Sequence, residues 1–156
     1  MTVAKAIIVM KNLRNKSILV VDDDTRWLRA LDKVLTGEGA VVFRAQWAGE
    51  VLDLLTGRKL QFDLLITDLR MPFVTGLTVV YSVRKMFPTL PIIVLTAFGS
   101  PAVKAECLHQ GAAAFLEKPL DTTALLKVIE GVFAQHPTAS EENPPCEAGL
   151  KKETTE

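Results

Sequence analysis

Five short runs of apolar and β-branched residues, each followed by a stretch with helical spacing, constrain this chain more than any other feature. The runs are "ILVV" (Ile18–Val21), "VVFRA" (Val41–Ala45), "LLIT" (Leu64–Thr67), "IIVL" (Ile92–Leu95) and "AAFLE" (Ala113–Glu117). The first, third and fourth are continuously apolar up to their last residue, as central strands of a parallel sheet are when both faces are covered. The second and fifth are mixed, as edge strands can be. After the first run, Leu28, Leu31 and Leu35 lie at i, i+3 and i+7, and a helix is expected to end before Gly37. Val51, Leu54 and Leu55 predict a second helix ending at Gly57, and Leu77, Val80 and Val83 a third with Pro88 just beyond it. Pro101, a good first-turn residue, opens a fourth that runs to Gly111. Leu125, Val128, Ile129, Val132 and Phe133 form the apolar stripe of a fifth. Five alternating strand–helix units predict an α/β, doubly wound fold with a five-stranded parallel sheet and five helices. Right-handed crossovers then bring every strand C-terminus to one edge, where such folds place their sites.

The 156 residues are enough for one domain with tails, and the organisation expected is an N-terminal extension over 1–15, a domain over 16–135 and a disordered tail over 136–156. The tail is rich in Pro, Glu, Thr and Ser and too poor in apolar residues to offset its ordering entropy. A net charge of +0 argues against direct nucleic-acid binding. The early apolar run Ala6–Met10 is too short for a membrane span or a secretory segment. Cys107 and Cys146 have neither disulfide nor metal spacing, so the chain reads as cytoplasmic. Cys107 is expected to pack under the fourth helix, and Trp27 and Trp47 to pack on or beside helices. His109 and His136 lack partners at ligand spacing.

The strand ends collect chemistry. Asp22, Asp23 and Asp24 follow the first strand, Asp68 the third, Thr96 the fourth and Lys118 the fifth. Two carboxylates 4 Å apart repel by about 1 kcal/mol in water and about 4 kcal/mol at a protein surface. A dication reverses that balance. Mg²⁺ takes oxygen ligands, commonly one or two carboxylates with waters and phosphate oxygens. A carboxylate can also act as nucleophile and form an aspartyl phosphate. The charge on a transferring phosphoryl group needs positive partners and a hydroxyl donor, which Lys118 and Thr96 could supply. Asp24 is expected instead to cap the following helix.

At this point the sequence resembles the receiver domains of two-component response regulators. "ILVVDDD", "LLITDLRMPFVTG", "IIVLTAFGS" and "GAAAFLEKPLD" stand in the order and at the strand ends that the family uses. The resemblance implies a flavodoxin-like sheet in the order 2-1-3-4-5. It makes Asp68 the phosphoacceptor, with Asp22, Asp23, Asp68 and the backbone carbonyl of Arg70 around Mg²⁺, Asp22 acting mainly through a metal-bound water. Lys118 would pair with phosphoryl oxygens, and the Lys118–Pro119 bond is often cis in the family. Thr96 would move towards the phosphoryl group, and Phe115 would be the switch aromatic that follows it. Phe73 departs from the glycine common after "MP" and makes the loop beside the acceptor bulkier, while Thr75 still suits a helix N-cap. Arg70 and Phe98 flank the mouth of the site and are expected to set the dephosphorylation rate. Substitutions there that left the phosphoryl half-life unchanged would contradict this.

The implied function is that of a phosphorelay module. A histidine kinase or phosphotransfer protein supplies phosphohistidine, Asp68 accepts the group, and the added charge switches a protein-binding surface on the fourth helix, fifth strand and fifth helix. Such a module is not a turnover enzyme, although it promotes its own phosphorylation and dephosphorylation. Phosphorylation-dependent homodimers are common in the family. No helix-turn-helix, ATPase or cyclase pattern follows Phe133, so the expectation is a stand-alone receiver acting on a downstream protein target, or one whose output domain lies outside this sequence. Two alternatives differ in class. A pseudo-receiver would bind proteins without phosphorylation. A haloacid-dehalogenase-type phosphohydrolase would need Thr or Val where Arg26 stands and a cap domain for which the chain is too short.

Overall fold

The structure, a computed structural model, describes residues 13–57, 60–71 and 74–136. The expected extension before residue 13, the tail after residue 136, Phe73 and Cys146 lie outside the described residues. Strands β1 (Ser17–Val21), β2 (Val41–Ala45), β3 (Leu64–Thr67), β4 (Ile92–Thr96) and β5 (Ala114–Glu117) alternate with helices α1 (Thr25–Gly37), α2 (Ala48–Thr56), α3 (Gly76–Met86), α4 (Pro101–His109) and α5 (Thr122–Gln135). The strands form one parallel sheet in the order β2-β1-β3-β4-β5.

The two-residue period of each strand divides the core into two layers. Ile18 and Val20, Leu64 and Ile66, and Ile93 and Leu95 face α1 and α5, meeting Leu28, Leu31, Leu35, Leu125 and Ile129. Leu19 and Val21, Leu65, and Ile92 and Val94 face the other way, against Val51 and Leu55 of α2, Val79, Val80 and Val83 of α3, and Cys107 of α4. Each fully buried aliphatic side chain contributes about 1.5–3 kcal/mol, so double-sided burial holds β1, β3 and β4 in the centre. The mixed runs β2 and β5 take the edges, where one margin meets solvent. Leu13 is buried in the same layer as α1, so packing begins before Lys16.

Helix ends are set by side chains and backbone together. Asp24 caps α1 by accepting from the amides of Arg26 and Trp27. Thr75 caps α3 by accepting from the amide of Thr78, and Ser100 caps α4, with Pro101 in its first turn. The expected stop before Gly37 is corrected: α1 runs through Gly37. Gly39, at φ +94°, ends it, its amide bonding Thr36 O at 3.0 Å while Ala40 N bonds Leu35 O at 3.1 Å. Gly111, at φ +102°, closes α4 in the same way, with bonds to Leu108 O at 3.1 Å and from Ala112 N to Cys107 O at 3.0 Å. Only a residue that tolerates the left-handed region completes this motif cheaply.

Trp47 lies beside α2 as expected: it precedes the helix in extended backbone and rests against Gly49 outside the core, which leaves the residue 53% exposed. Cys107 is buried under α4 as expected, and burial, aided by the neighbouring Glu106, pushes its thiol pKa up. Among the described residues, no helix is long and apolar enough to cross a membrane.

Candidate functional site

Chain direction reverses between β1 and β3. The chain leaves β1 through α1 to the outer strand β2, then returns past β1 through α2 to β3. Parallel sheets open a crevice at such a switch point, beyond the strand C-termini. Asp22 is the first residue past β1 and Asp68 the first past β3, so both reach this crevice. Their backbones stay in register with the sheet: Asp22 N bonds Ala45 O at 3.1 Å and Asp68 N bonds Val21 O at 3.0 Å.

Asp22, Asp23 and Asp68 each offer a carboxylate oxygen, and the three oxygens lie within 4.8 Å of one another. Asp22 and Asp68 are buried, whereas Asp23 is exposed. Asp22 Oδ1 accepts from Asp24 N at 2.9 Å, and its Oδ2 accepts a close hydrogen bond from Lys118 Nζ. Burial raises the pKa of the Asp22 carboxyl, and Lys118 and the Asp24 amide oppose that rise. The repulsion from Asp68 is the smallest contribution, so desolvation, more than crowding of like charges, is what lifts Asp22.

Asp68 is held differently. Its Oδ1 accepts from Leu69 N at 2.6 Å and from Arg70 N at 3.4 Å. Its Oδ2 lies 3.5 Å from Lys118 Nζ and accepts no hydrogen bond among the described residues. The loop that shapes this geometry depends on Gly76. A Cβ there would stand 2.2 Å from Asp68 O and 2.6 Å from Leu69 Cα. Gly76 N bonds Leu69 O at 2.8 Å, and Arg70 bridges Thr75 across the loop.

Lys118 arrives from β5, its backbone amide bonding Thr96 O at 2.8 Å, and the Lys118–Pro119 bond is cis. Its ammonium also stands 4.7 Å from the centre of the Trp27 ring. Thr96 is fully buried at the end of β4, and its Oγ1 accepts from Phe98 N at 3.2 Å. Phe115 is buried on the same side of the sheet, opposite Val94 in the β4–β5 register. Arg70 is exposed and lays its guanidinium 3.7 Å over the centre of the Phe98 ring, across the mouth of the site. Asp24 stands apart as the α1 cap, and its bonds from the Arg26 and Trp27 amides hold its carboxyl below the ordinary aspartate range. His109 and His136 sit at the ends of α4 and α5.

The structure thus brings together Asp22, Asp23, Asp68 and Lys118, with Thr96 and Arg70 at the same sheet edge. Two contributors were missed from the sequence. Gly76 follows the expected Thr75 cap, and nothing in the local sequence ties it to the site. Trp27 was assigned to packing, because nothing in local periodicity ties it to a lysine on another strand.

Comparison with known proteins agrees with this geometry. The model of the response regulator receiver domain matches residues 18–130. The transcriptional regulatory protein GlrR of Escherichia coli (strain K12) is 38% identical over 125 residues, covering 80% of this chain and 28% of that protein. The DNA-binding transcriptional regulator NtrC of Proteus hauseri is 32% identical over 126 residues, 80% of this chain and 26% of that one. The chain therefore spans little more than a quarter of the length of these curated relatives. Among solved structures, a CheY-like receiver domain protein from Methanospirillum hungatei JF-1 superposes with a TM-score of 0.73 at 30% identity, covering 78% of this chain and 96% of that one. A beryllofluoride-activated NtrC4 receiver domain dimer gives 0.72 at 28% identity, over 77% and 98%. With its strand order, its clustered aspartates and a family match over most of its length, the chain belongs to the response regulator receiver domains of two-component signalling.

Proposed function

We propose that this receiver accepts a phosphoryl group on Asp68 from a phosphohistidine of a histidine kinase or phosphotransfer protein, and that the modified domain then engages a downstream protein. The observation that carries the reading is the contrast between the two oxygens of Asp68. Oδ1 is held by two loop amides, while Oδ2 faces Lys118 with no donor bonded to it among the described residues. That oxygen is oriented and available to attack phosphorus. The new P–O bond forms as the P–N bond of the donor breaks, and the donor imidazole leaves with the electron pair of the broken bond. Lys118, already between Asp22 and Asp68, is placed to meet the phosphoryl oxygens.

The three carboxylates form a set of hard oxygen donors that suits Mg²⁺. Asp22, Asp23, Asp68 and the Arg70 carbonyl are the groups that would hold it. When bound, the ion would add positive charge beside the phosphoryl oxygens. Thr96 and Phe115 are the candidates for relaying the modification, through a hydroxyl drawn from Phe98 N towards the new group and a ring able to follow it. A phosphoryl group adds up to about −2 charge, enough to bias a surface that has two arrangements. The relay places the protein in the cytoplasm and makes it a switch, with no turnover of a free substrate. The solved NtrC4 dimer is a receiver dimer, and a phosphorylation-dependent homodimer is a form this chain could share.

Beryllofluoride tests the reading. With Mg²⁺ present, the protein should acquire a bound fluoride signature in its fluorine NMR spectrum, and Asp68→Asn should abolish it. A folded parent that gives no adduct would instead support a receiver that binds proteins without phosphorylation.

A further inference from the structure

We propose that Trp27 is a positioning residue for Lys118, its ring face holding the ammonium within the site while that ammonium passes from Asp22 to the group on Asp68. The inference rests on the acceptor role proposed above. The Lys118 ammonium has three donors on a flexible stem. Asp22 and Asp68 meet it, and the Trp27 ring centre, at 4.7 Å, is its further neighbour. An indole face attracts a cation through its quadrupole, without demanding one direction of approach. An ammonium resting on such a face can therefore shift between two anions and stay in place.

Trp27 is not oriented by a hydrogen bond of its own. Its Nε1–H is buried and has no partner among the described residues, a costly arrangement for an indole. The ring is set by its surroundings: it lines a cavity of about 120 Å³ with Leu31, Val34, Leu120 and Leu125. Its backbone is tied down too, because Asp24 accepts from Trp27 N at 3.4 Å. The cap of α1 thus fixes the turn that carries the ring beneath Lys118. Of the three consecutive aspartates, Asp22 binds Lys118 directly and Asp24 acts on it through Trp27.

The test compares Trp27→Leu with Trp27→Phe, measuring the rate of phosphorylation by acetyl phosphate with Mg²⁺ alongside thermal melting. Leucine keeps apolar bulk but loses the π face, and the rate should fall about fivefold, equivalent to about 1 kcal/mol. Phenylalanine keeps a ring and should stay within about twofold of the parent. Equal rates in the parent and Trp27→Leu would overturn the positioning role and leave the acceptor role standing. No modification of Asp68 in the parent would overturn both. If Trp27→Leu does not fold, fluorescence decides. In a Trp47→Phe background Trp27 is the one remaining tryptophan. Its emission should change when Mg²⁺ and beryllofluoride are added, and Lys118→Met should remove that change. An emission indifferent to Lys118 would overturn the proposal.

Discussion

The β1–α1 and β3–α3 junctions each deliver one buried aspartate to the same crevice, yet they restrain it in opposite ways. At the first, the chain turns into helix within three residues, and both Asp22 oxygens are engaged, one by the Asp24 amide and the other by Lys118. At the second, a longer loop passes Arg70 and Thr75 before α3 begins, pinned by the close approach of Gly76 to the Asp68 carbonyl. There one Asp68 oxygen is fixed by amides and the other is left to face the lysine. The difference separates two tasks that composition alone does not distinguish. A fully bonded carboxylate anchors a cation, and a half-bonded one can act as nucleophile.

The sharpest way to break this comparison is to exchange the two aspartates for asparagine in turn. Asp68→Asn should reduce phosphoryl capture from acetyl phosphate below detection. Asp22→Asn should slow it about a hundredfold, the scale for losing one electrostatic partner, and leave the group on Asp68. Equal losses, or a total loss confined to Asp22→Asn, would reverse the assignment.

Lys118→Met probes the anchoring side. Burial already raises the Asp22 carboxyl and Lys118 opposes it, so without the lysine that pKa should climb further. A carboxyl whose folded pKa exceeds its unfolded value destabilises the fold as pH rises above the unfolded value. The variant should be about 3 kcal/mol less stable than the parent near neutrality. The deficit should shrink as pH falls through the raised value and Asp22 takes up its proton, and urea melts across that range measure it.

Gly76→Ala tests the pinned loop. A Cβ 2.2 Å from Asp68 O forces a backbone shift, expected to cost about 2 kcal/mol and to slow phosphoryl capture as well. Gly37→Ala is the control: it meets nothing within 4 Å in the last turn of α1, and should stabilise by about 0.5 kcal/mol without touching capture. The smallest effect is expected from Asp24→Ala, as a drop of a few degrees in Tm at neutral pH. Because the amides of α1 lower the Asp24 pKa, its contribution is complete above the ordinary aspartate value. It fades as pH falls through the lowered one, so the two melting curves should converge in acid.

What was legible in the sequence lies along the chain, and what was not lies between distant parts of it. Runs such as Ile18–Val21 and Leu64–Thr67 announce central strands through composition, and the motifs at their ends place Asp22, Asp68, Thr96 and Lys118 on one edge. Caps were legible too, since Asp24 and Thr75 act on residues two or three positions away. The stop of α1 was misplaced because two glycines compete there, and the choice of Gly39 depends on which one closes the turn in the left-handed region. Repulsion between neighbouring carboxylates is legible in the sequence, but the dominant cause of the raised pKa at Asp22 is burial, which depends on the assembled sheet. The contact between Trp27 and Lys118 and the clash a side chain at Gly76 would create with Asp68 join separate segments in space. Arg84, whose guanidinium bonds Pro88 O at 2.6 Å and Gly111 O at 2.7 Å, is the same kind of link and has no local signature.

The most direct test of the central claim is to locate the phosphoryl group. The protein is incubated with acetyl phosphate and Mg²⁺, and the labelled aspartate is trapped by borohydride reduction and mapped by peptide mass spectrometry. The account predicts modification at Asp68 alone, lost when Mg²⁺ is chelated. Modification at Asp22 or Asp23, or none in a folded and Mg²⁺-saturated protein, would contradict it.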